Sequence, residues 1–403
     1  MSMQRVDIVL PVYKEAVLTK ACIDSVLSHL DVERVNRLII VDDASPEPGL
    51  SAMLSDYAEQ HTCIQLLVNE TNLGFVQSVN RGMAVGSGDV VLLNSDTRVP
   101  PGWLERLQRA AYTDANVATV TPFSNNASIC SYPYFCESAE LPEGLDLEQM
   151  DGFFASVNQG LVVDLPTGVG FCMYIRRDCL DTIGLFDAER YGKGYGEEND
   201  FSRRAAAAGY RNLLCGELFV YHQGGASFGD QRRALMARAE TLLAERYPEY
   251  PRVVADFIRQ DPLKALRRSV SVARLGSSDQ HSVVLAEYDR QLEYQEVALE
   301  QARHQVLDTE RIYTAELNEH KNALSMYEKR CAEYDSRCAE YDRLLDEVRH
   351  SFTRTDEALQ QAQRNSLQLQ SDLVACHQQL EQLQSSWPFK LQRFIRKFWK
   401  FHD

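Results

Sequence analysis

Over roughly the first 260 residues, short apolar runs alternate with stretches in which apolar residues recur at helical spacing. The predicted strands are residues 6–12, 37–41, 64–68 and 90–93. The predicted helices are residues 18–30, 50–59 and 75–85. Such alternation is typical of helices packed around a parallel sheet. We therefore predict an α/β fold for residues 1–260, an open three-layer nucleotide-binding sheet whose ligand crevice lies at the carboxyl ends of the strands.

The pattern changes after about residue 275. Residues 285–383 contain no Pro or Gly, which predicts one long helix after a helical linker at 261–284. Apolar residues recur along it in a heptad seam, with a stutter at 309–317. We predict a coiled coil at 285–384, a rod on the order of 150 Å long that makes the protein a parallel dimer or trimer. Because His320, Thr355 and Ser366 are poor seam residues, a solvated single helix or a disordered linker is the alternative.

The last segment, residues 385–403, combines aromatic and basic side chains. Its cations are Lys390, Arg393, Arg396, Lys397 and Lys400. On a helical projection, Leu391, Phe394, Ile395 and Phe398 share another face. This pattern predicts a helix that lies in the interface of an anionic membrane. The alternative is that the aromatic residues pack on the end of the coiled coil or on a partner protein.

Composition narrows the partners and the compartment. A net charge of -16 argues against nonspecific binding to nucleic acid, which depends on clustered Lys and Arg. The N-terminus has no signal-peptide pattern, and no apolar run approaches the roughly 20 residues that span a bilayer. We therefore expect a cytoplasmic protein attached peripherally to the inner face of the cell membrane. The ten cysteines include no Cys-x-x-Cys pair and are expected to be free thiols.

Two acids follow the second predicted strand. A carboxylate at this point can accept hydrogen bonds from a nucleotide base or ribose. Asp43 is the better candidate for that role, because Asp42 is equally well explained as the cap of the turn at Ser45.

Another acid follows the strand at residues 90–93, in the sequence Asn94-Ser95-Asp96-Thr97. Mg²⁺ is usually held by one or two carboxylates together with substrate phosphates, so one acid can be sufficient. Taken alone, the tetrapeptide is equally consistent with an Asx turn.

A glycine-rich segment, residues 191–196, leads into three further acids, Glu197, Glu198 and Asp200. Acids favour the first turn of a helix because of its dipole, which accounts for one or two of them. It does not account for the glycines, which let the backbone approach a ligand closely. His222 adds an imidazole beside Gly224, but a lone histidine is more simply a structural residue.

Together these motifs resemble family 2 glycosyltransferases with the A-type, Rossmann-like fold. The resemblance covers about residues 6–230, and it depends on five motifs in the family's order. They are Val9-Leu10-Pro11-Val12-Tyr13-Lys14-Glu15; Val41-Asp42-Asp43-Ala44-Ser45; Asn72-Leu73-Gly74-Phe75 with Asn80; Leu93-Asn94-Ser95-Asp96-Thr97 with Pro101-Gly102-Trp103-Leu104; and Gly196-Glu197-Glu198-Asn199-Asp200-Phe201 with Arg204. His222 falls where many members have a metal-binding histidine.

The resemblance implies a role for each matched residue. Glu198 is the expected catalytic base, with Asp200 as the alternative. Asp96 and His222 are the expected ligands of Mg²⁺ or Mn²⁺. The expected acceptor-side residues are Trp103, Gly196 and Glu197. The expected donor-binding residues are Pro11, Tyr13, Glu15, Asp43, Asn72, Gly74, Asn80, Asn94 and Ser95.

Two positions depart from the family pattern. Asn94 stands where relatives often have Asp, which leaves metal coordination to Asp96 and His222. Glu198 stands where relatives usually have Asp, which makes the identity of the base less secure.

The resemblance also implies an inverting transfer from a nucleoside-diphosphate sugar, in which a carboxylate accepts the acceptor's proton and a metal neutralises the leaving diphosphate. By family analogy the acceptor is a growing, lipid-linked bacterial surface glycan, as in O-antigen or capsule rhamnosyltransferase-like enzymes. A protein acceptor is the alternative. A nucleotidylyltransferase is disfavoured because residues 11–15 lack a basic, glycine-rich phosphate loop. A coiled-coil scaffold with a silent transferase domain is disfavoured by the intact acids and His222.

Overall fold

The computed structural model describes residues 4–224, 232–333 and 338–385. The chain divides into two compact units, unit 1 at Met1–Val284 and unit 2 at Leu285–Asp403. Unit 2 begins at the residue where the predicted coiled coil starts. Within the described residues, no helix is both long enough and apolar enough to cross a membrane.

The described part of unit 1 contains ten strands. They are β1 (Val6–Val12), β2 (Val35–Asp42), β3 (Ile64–Val68), β4 (Asp89–Leu93), β5 (Thr97–Arg98), β6 (Val117–Phe123), β7 (Val162–Leu165), β8 (Cys172–Ile175), β9 (Arg211–Phe219) and β10 (Tyr221–His222). Eight of them form one sheet in the order β3-β2-β1-β4-β8-β6-β9-β7, and β10 pairs with β5 in a separate ladder.

The sheet is mixed rather than parallel throughout. β1 to β4 are parallel, as the first half of the sequence predicts. However, β8 is antiparallel to both β4 and β6, and β7 is antiparallel to β9. The expectation of a parallel sheet is therefore wrong for these two strands. A short apolar run predicts a buried strand but carries no information about its direction.

Eleven helices accompany these strands within the described residues of unit 1. They are α1 (Ala16–Ser28), α2 (Leu50–Gln60), α3 (Phe75–Val85), α4 (Trp103–Ala111), α5 (Leu147–Val157), α6 (Arg177–Ile183), α7 (Ala188–Tyr191), α8 (Glu197–Ala207), α9 (Arg232–Arg246), α10 (Tyr250–Gln260) and α11 (Lys264–Leu275). The predicted bounds of α3 agree with the structure at both ends, where Gly74 and Gly86 flank the helix.

Helices cover both faces of the sheet. In β1, Ile8 and Leu10 belong to a core shared with α1, α2, α4 and α5, whereas Val9 belongs to a core shared with α3, α6 and α8. Successive side chains of a strand point to opposite faces. A continuous apolar run such as 6–12 therefore suits a strand that is buried on both sides. The predicted three-layer α/β architecture is confirmed.

The segment assigned to a linker, residues 261–284, contributes to the core of unit 1. Leu263, Leu266 and Val270 are buried in the same core as Phe154 of α5. Apolar residues at this spacing give α11 an amphipathic face, and α5 provides the surface that covers it.

Unit 2 contains α13 (Cys338–Ser385) and most of α12 (His281–Glu333). His320 Nε2 lies 3.2 Å from Ser351 Oγ, and Cys376 Sγ lies 3.9 Å from Gln295 Oε1. Earlier residues of α12 thus meet later residues of α13, so the two helices run antiparallel. One continuous helix would separate His320 from Ser351 by about 46 Å. The prediction of a single rod is therefore wrong.

Residues of the predicted seam face the contact between these helices. Leu317, Leu345 and Thr355 are less than a tenth exposed. The hydroxyl of Thr355 donates to Ser351 O at 3.0 Å, which satisfies this polar group within its own helix. Because the seam finds a partner within the chain, it no longer requires a parallel dimer or trimer, and both the coiled coil and the oligomer stay predictions. The predicted membrane-interface helix lies outside the described residues, apart from Ser385.

Candidate active site

The carboxyl ends of β1, β2 and β4 lie side by side at one edge of the sheet. The first residues after these strands are Tyr13, Asp43 and Asn94. Pro11, near the end of β1, is paired in register with Val41. Because neighbouring parallel strands end at the same edge, four residues predicted to bind the donor lie together at the crevice.

Three non-glycine residues near this edge have positive φ angles. They are Glu15 at 67°, Ala44 at 53° and Tyr195 at 69°. Residues with a β-carbon adopt this conformation rarely, and it is found preferentially at binding and catalytic sites. Asp42 holds the turn at Ala44 by accepting a hydrogen bond from Ser45 N at 2.9 Å, which is the capping role considered for it.

Asp43 shapes the loop at residues 72–74. Its Oδ1 accepts hydrogen bonds from Asn69 Nδ2 and Leu73 N, both at 2.8 Å. Its Oδ2 accepts one from Gly74 N at 2.9 Å. Asn72, also predicted to bind the donor, is exposed on this loop. A carboxylate has about four acceptor positions, so Asp43 retains capacity for a ligand.

The loop at residues 72–74 touches the glycine-rich segment. Phe75 N donates to Lys193 O at 3.2 Å. A β-carbon on Gly74 would lie 2.9 Å from Lys193 Cα, and the φ of Gly74 is 88°, so only glycine is accommodated here. The contact ties the loop beside Asp43 to the segment that leads into Glu197.

The β5–β10 ladder brings the two predicted metal ligands together. It pairs Thr97 with His222, and it leaves His222 Nε2 3.4 Å from Asp96 Oδ1. The other carboxylate oxygen, Oδ2, accepts a hydrogen bond from Gly224 N at 2.9 Å. Burial acts to raise the pKa of Asp96, but His222 in its protonated form and the Gly224 N–H outweigh it, so the pKa then lies below its ordinary value.

Hydrogen bonds and a ring contact hold both the backbone and the side chain of His222 in place. Its backbone N–H donates to Asn125 Oδ1 at 2.9 Å, and its backbone carbonyl accepts from Asn125 Nδ2 at 2.9 Å. Its ring Nδ1 lies 2.6 Å from Asn126 O. The ring also stacks on Phe171, with centroids 5.1 Å apart and an interplanar angle of 19°.

The residues around Asp96 fit a divalent cation. Adjacent ligands of an octahedral cation lie about 3 Å apart, which is comparable with the 3.4 Å between His222 Nε2 and Asp96 Oδ1. The amide oxygen of Asn94 is buried without a hydrogen-bond partner among the described residues, and Ser95 beside it is half-buried. In the part of the chain that the structure describes, no group of three or more His, Cys, Asp or Glu forms a complete cage. The fit is therefore to a cation that substrate phosphates help to hold.

The predicted catalytic acids open α8. Gly196 caps the helix with φ 90°, and a β-carbon there would lie 2.8 Å from Tyr191 Cε1. The next two residues are Glu197, which is 5% exposed, and Glu198. One oxygen of each carboxyl group is buried and has no hydrogen-bond partner within the described ranges.

The site raises the pKa of both carboxyl groups, but to different extents. Burial raises the pKa of Glu197 well above its ordinary value, and repulsion by Glu198 adds to the effect. Burial also raises the pKa of Glu198, but backbone N–H groups and a hydrogen bond from Glu197 oppose it. Both carboxyl groups therefore hold a proton more readily than an ordinary glutamate, and the effect is larger for Glu197.

The segment between β7 and β8 connects these acids to the metal pair. Thr167 Oγ1 accepts a hydrogen bond from Asn199 Nδ2 at 3.0 Å. Phe171, four residues later, carries the ring stacked on His222. Four residues span at most about 14 Å, so this short segment links the start of α8 to the ring that supports His222.

Asp200, the alternative base, has a structural role. It is fully buried, and its Oδ2 accepts from Arg204 Nε at 2.7 Å. Its Oδ1 accepts from Arg246 Nη1 at 2.8 Å and from the Tyr247 hydroxyl at 2.9 Å. Oδ1 therefore joins α8 to the end of α9, whereas Oδ2 is bonded within α8, and the geometry disfavours Asp200 as a base.

Two other predicted site residues are also structural. Trp103 is 1% exposed and packs in the core, so the expectation that it contacts an acceptor is wrong for this structure. Asn80 donates to Phe186 O at 2.8 Å and accepts from Phe186 N at 3.1 Å. Both ends of its amide thus hold the backbone before α7, a role that the sequence does not reveal.

Three polar or aromatic residues of the site were not foreseen: Asn69, Asn125 and Phe171. A sequence signal existed for Asn125, because the apolar run of β6 ends at Phe123 and the chain continues Ser-Asn-Asn. Polar residues after a buried strand are the same signal that identified Asp43 and Asp96. The same signal marks Asn69, the first residue after β3, whereas no comparable pattern marks Phe171.

Comparison with known proteins agrees with the resemblance. Residues 7–184 match the family described as Glycosyl transferase family 2. The chain is 22% identical over 218 residues to Glycosyltransferase AglE of Haloferax volcanii, and the match covers 54% of this chain and 66% of that protein, slightly under two thirds of its length. Residues 7–184 are therefore similar in sequence to family 2 glycosyltransferases. The family match ends before Glu198 and His222.

Two solved structures are similar at low sequence identity. One is the crystal structure of GalNAc-T7 with UDP, GalNAc and Mn²⁺, with TM-score 0.47 and 15% identity, covering 62% of this chain and 50% of that chain. The other is the mannosyltransferase PcManGT from Pyrobaculum calidifontis in complex with GDP-Man and Mn²⁺, with TM-score 0.46 and 16% identity, covering 69% of this chain and 76% of that chain.

Proposed function

We propose that unit 1 transfers a sugar from a nucleoside-diphosphate sugar to an acceptor hydroxyl, with inversion at the anomeric carbon and with a divalent cation. One observation carries the proposal. The segment at residues 167–171 contacts His222 of the Asp96–His222 pair at one end and, at the other, Asn199, which follows the carboxyl pair of Glu197 and Glu198. The first pair suits a diphosphate leaving group and the second suits a hydroxyl nucleophile.

On the donor side, the residues after β1, β2 and β4 bind and orient the nucleotide. Asp43 keeps the loop at 72–74 in place and accepts from the base or ribose. Asp96 and His222 would hold Mg²⁺ or Mn²⁺, which supplies positive charge against the departing diphosphate. Asn94 Oδ1, which has no hydrogen-bond partner among the described residues, would be available to this cation or to the donor.

On the acceptor side, Glu198 accepts the proton of the attacking hydroxyl. Positioned general bases contribute typically about 10²- to 10⁴-fold to rate. Glu197 retains its own proton and donates to Glu198, which keeps Glu198 ionised in a buried setting. Direct attack requires no covalent sugar intermediate, so the site needs no second carboxylate as nucleophile.

The proposals for the acceptor and for membrane attachment are based on the sequence. We propose a growing, lipid-linked bacterial surface glycan, of the O-antigen or capsule type, as acceptor, with a protein acceptor as the alternative. Residues 385–403 would hold the enzyme at the inner face of the cell membrane. Unit 2 would connect this segment to unit 1, as a helix pair in one chain or within a dimer or trimer.

The test is release of nucleoside diphosphate from a panel of uracil, thymine and guanine nucleotide sugars, with Mg²⁺ or Mn²⁺ and a mixture of glycan acceptors. We expect one donor to be consumed and activity to vanish in excess chelator. Asp96→Ala should lose metal-dependent donor binding. Full activity in excess chelator would contradict the metal's role, and no turnover with any donor would support the silent-scaffold alternative.

A further inference from the structure

The side-chain amide of Asn125 makes hydrogen bonds to the backbone of His222 like those that a neighbouring strand would make. It accepts from His222 N and donates to His222 O, both at 2.9 Å, and it also donates to Ala139 O at 2.8 Å. Asn125 is 2% exposed. On the chain's other side, β10 is paired with β5, so the backbone of His222 is fixed from two directions.

The next residue fixes the imidazole itself. His222 Nδ1 lies 2.6 Å from Asn126 O, and a carbonyl oxygen can only accept a hydrogen bond. Nδ1 must therefore carry the hydrogen, which makes Nε2 the acceptor of the neutral ring. Nε2 faces Asp96 Oδ1 at 3.4 Å. Two acceptors that face each other at this distance form an arrangement that a cation between them would stabilise.

The same turn also contacts the support of Asp96. A β-carbon on Gly224 would lie 1.5 Å from Asn126 Nδ2, so Asn126 lies directly against this glycine. Gly224 N in turn donates to Asp96 Oδ2 at 2.9 Å. One turn, residues 125–126, thus supports both members of the metal pair.

We propose that Asn125 and the Asn126 carbonyl are positioning groups that hold His222 as its Nδ1–H tautomer, with Nε2 directed at Asp96, before any metal binds. The inference rests on the metal pair of the proposed function. Partners that orient a metal-binding histidine typically change metal affinity about 10- to 100-fold when they are removed. Truncating Asn125 should therefore weaken the metal site without touching a metal ligand.

The chain offers a matched control in Asn158, which is 1% exposed and donates to Gly216 O at 3.1 Å. Like Asn125, it is a buried amide bonded to backbone, but it lies at the end of α5 in the core. Asn125→Ala and Asn158→Ala should therefore lower the melting temperature to similar extents. Only a positioning role for Asn125 predicts that the two variants differ in metal binding.

The experiment measures Mn²⁺ binding to full-length protein by titration calorimetry and by electron paramagnetic resonance of free Mn²⁺. We expect Asn125→Ala to bind about 10- to 100-fold more weakly than wild type, and Asn158→Ala to bind as wild type does. Equal affinity of Asn125→Ala and wild type would overturn the inference while leaving the proposed function intact. Absence of Mn²⁺ binding by wild type would instead overturn the metal site on which both depend.

A second measurement needs no variant. Long-range ¹H–¹⁵N correlation spectra of metal-free, histidine-labelled protein at about pH 8, where an ordinary imidazole is neutral, distinguish the two tautomers. We expect His222 as the Nδ1–H form in wild type and a mixture of forms in Asn125→Ala. An Nε2–H form in wild type would overturn the inference even if Asn125→Ala fails to fold.

Discussion

Replacing Asp200 with Asn removes one negative charge from a fully buried site and leaves two guanidinium groups short of a partner. Hydrogen bonds to charged groups contribute about 1.5–3 kcal/mol each, and neutral ones about 0.5–1.5 kcal/mol. Over the bonds to Arg204 and Arg246, the loss is therefore about 2–3 kcal/mol. Asn also turns one acceptor into an amide donor that faces an arginine N–H. We therefore expect the free energy of unfolding to fall by about 3 kcal/mol in all.

A domain of this size loses about 2–4 °C of melting temperature per kcal/mol, so Asp200→Asn should melt roughly 6–12 °C below wild type in calorimetry. Measured well below the transition, its turnover per folded molecule should stay close to wild type, because Asp200 faces arginines rather than an acceptor. The control is Glu249→Gln, which removes an exposed ion pair with Arg203 of 2.8 Å and should melt with wild type. An unchanged melting temperature with abolished turnover would refute this reasoning and restore Asp200 as the base.

Two further predictions concern packing and pH. Gly82→Ala should destabilise unit 1 by about 1–3 kcal/mol, because its β-carbon would lie 2.5 Å from Val9 Cγ1. The control Gly152→Ala should not destabilise it, because that β-carbon would meet nothing within 4 Å. Equal shifts in the melting temperatures of the two variants would contradict the packing argument. Since burial raises the pKa of Glu198, kcat/KM should fall on acidification at a pH above the ordinary glutamate range, as the base form is lost. Glu197→Leu removes the hydrogen bond that lowers the pKa of Glu198, so the fall in kcat/KM should move to higher pH. Glu197→Gln can still donate this hydrogen bond and should show a smaller change. Identical pH profiles for the two variants would count against a hydrogen bond from residue 197 to Glu198.

The sequence predicts the first half of unit 1 well, because local periodicity and strand order coincide there. β1 to β4 are parallel and separated by helices; β2 pairs with its chain neighbours β1 and β3, and β4 pairs with the other side of β1. Periodicity does not report the insertion of β8 between β4 and β6, which depends on long-range pairing. The same limitation applies to α12 and α13, since a heptad seam is equally compatible with a partner in another chain or in the same chain.

For the candidate site as well, the sequence reveals the local features but not those that depend on long-range contacts. Acids and amides at strand ends were recognisable because topology gathers strand ends at one edge. Asp200 was not distinguishable from Glu198 by sequence, because its role depends on Arg246, a residue of the later helix α9. Trp103 was misassigned because a motif position does not reveal burial. The hydrogen bonds between Asn125 and His222 join positions 97 residues apart. The sequence does not reveal this contact, because it depends on long-range packing.

The most direct test of the central claim is the Glu198→Gln variant, assayed in parallel for donor binding and for turnover with the donor and metal identified by the panel. If Glu198 is the base, turnover should fall by about 10²- to 10⁴-fold, while metal-dependent donor affinity and melting temperature remain close to those of wild type. Wild-type turnover by Glu198→Gln would contradict the account.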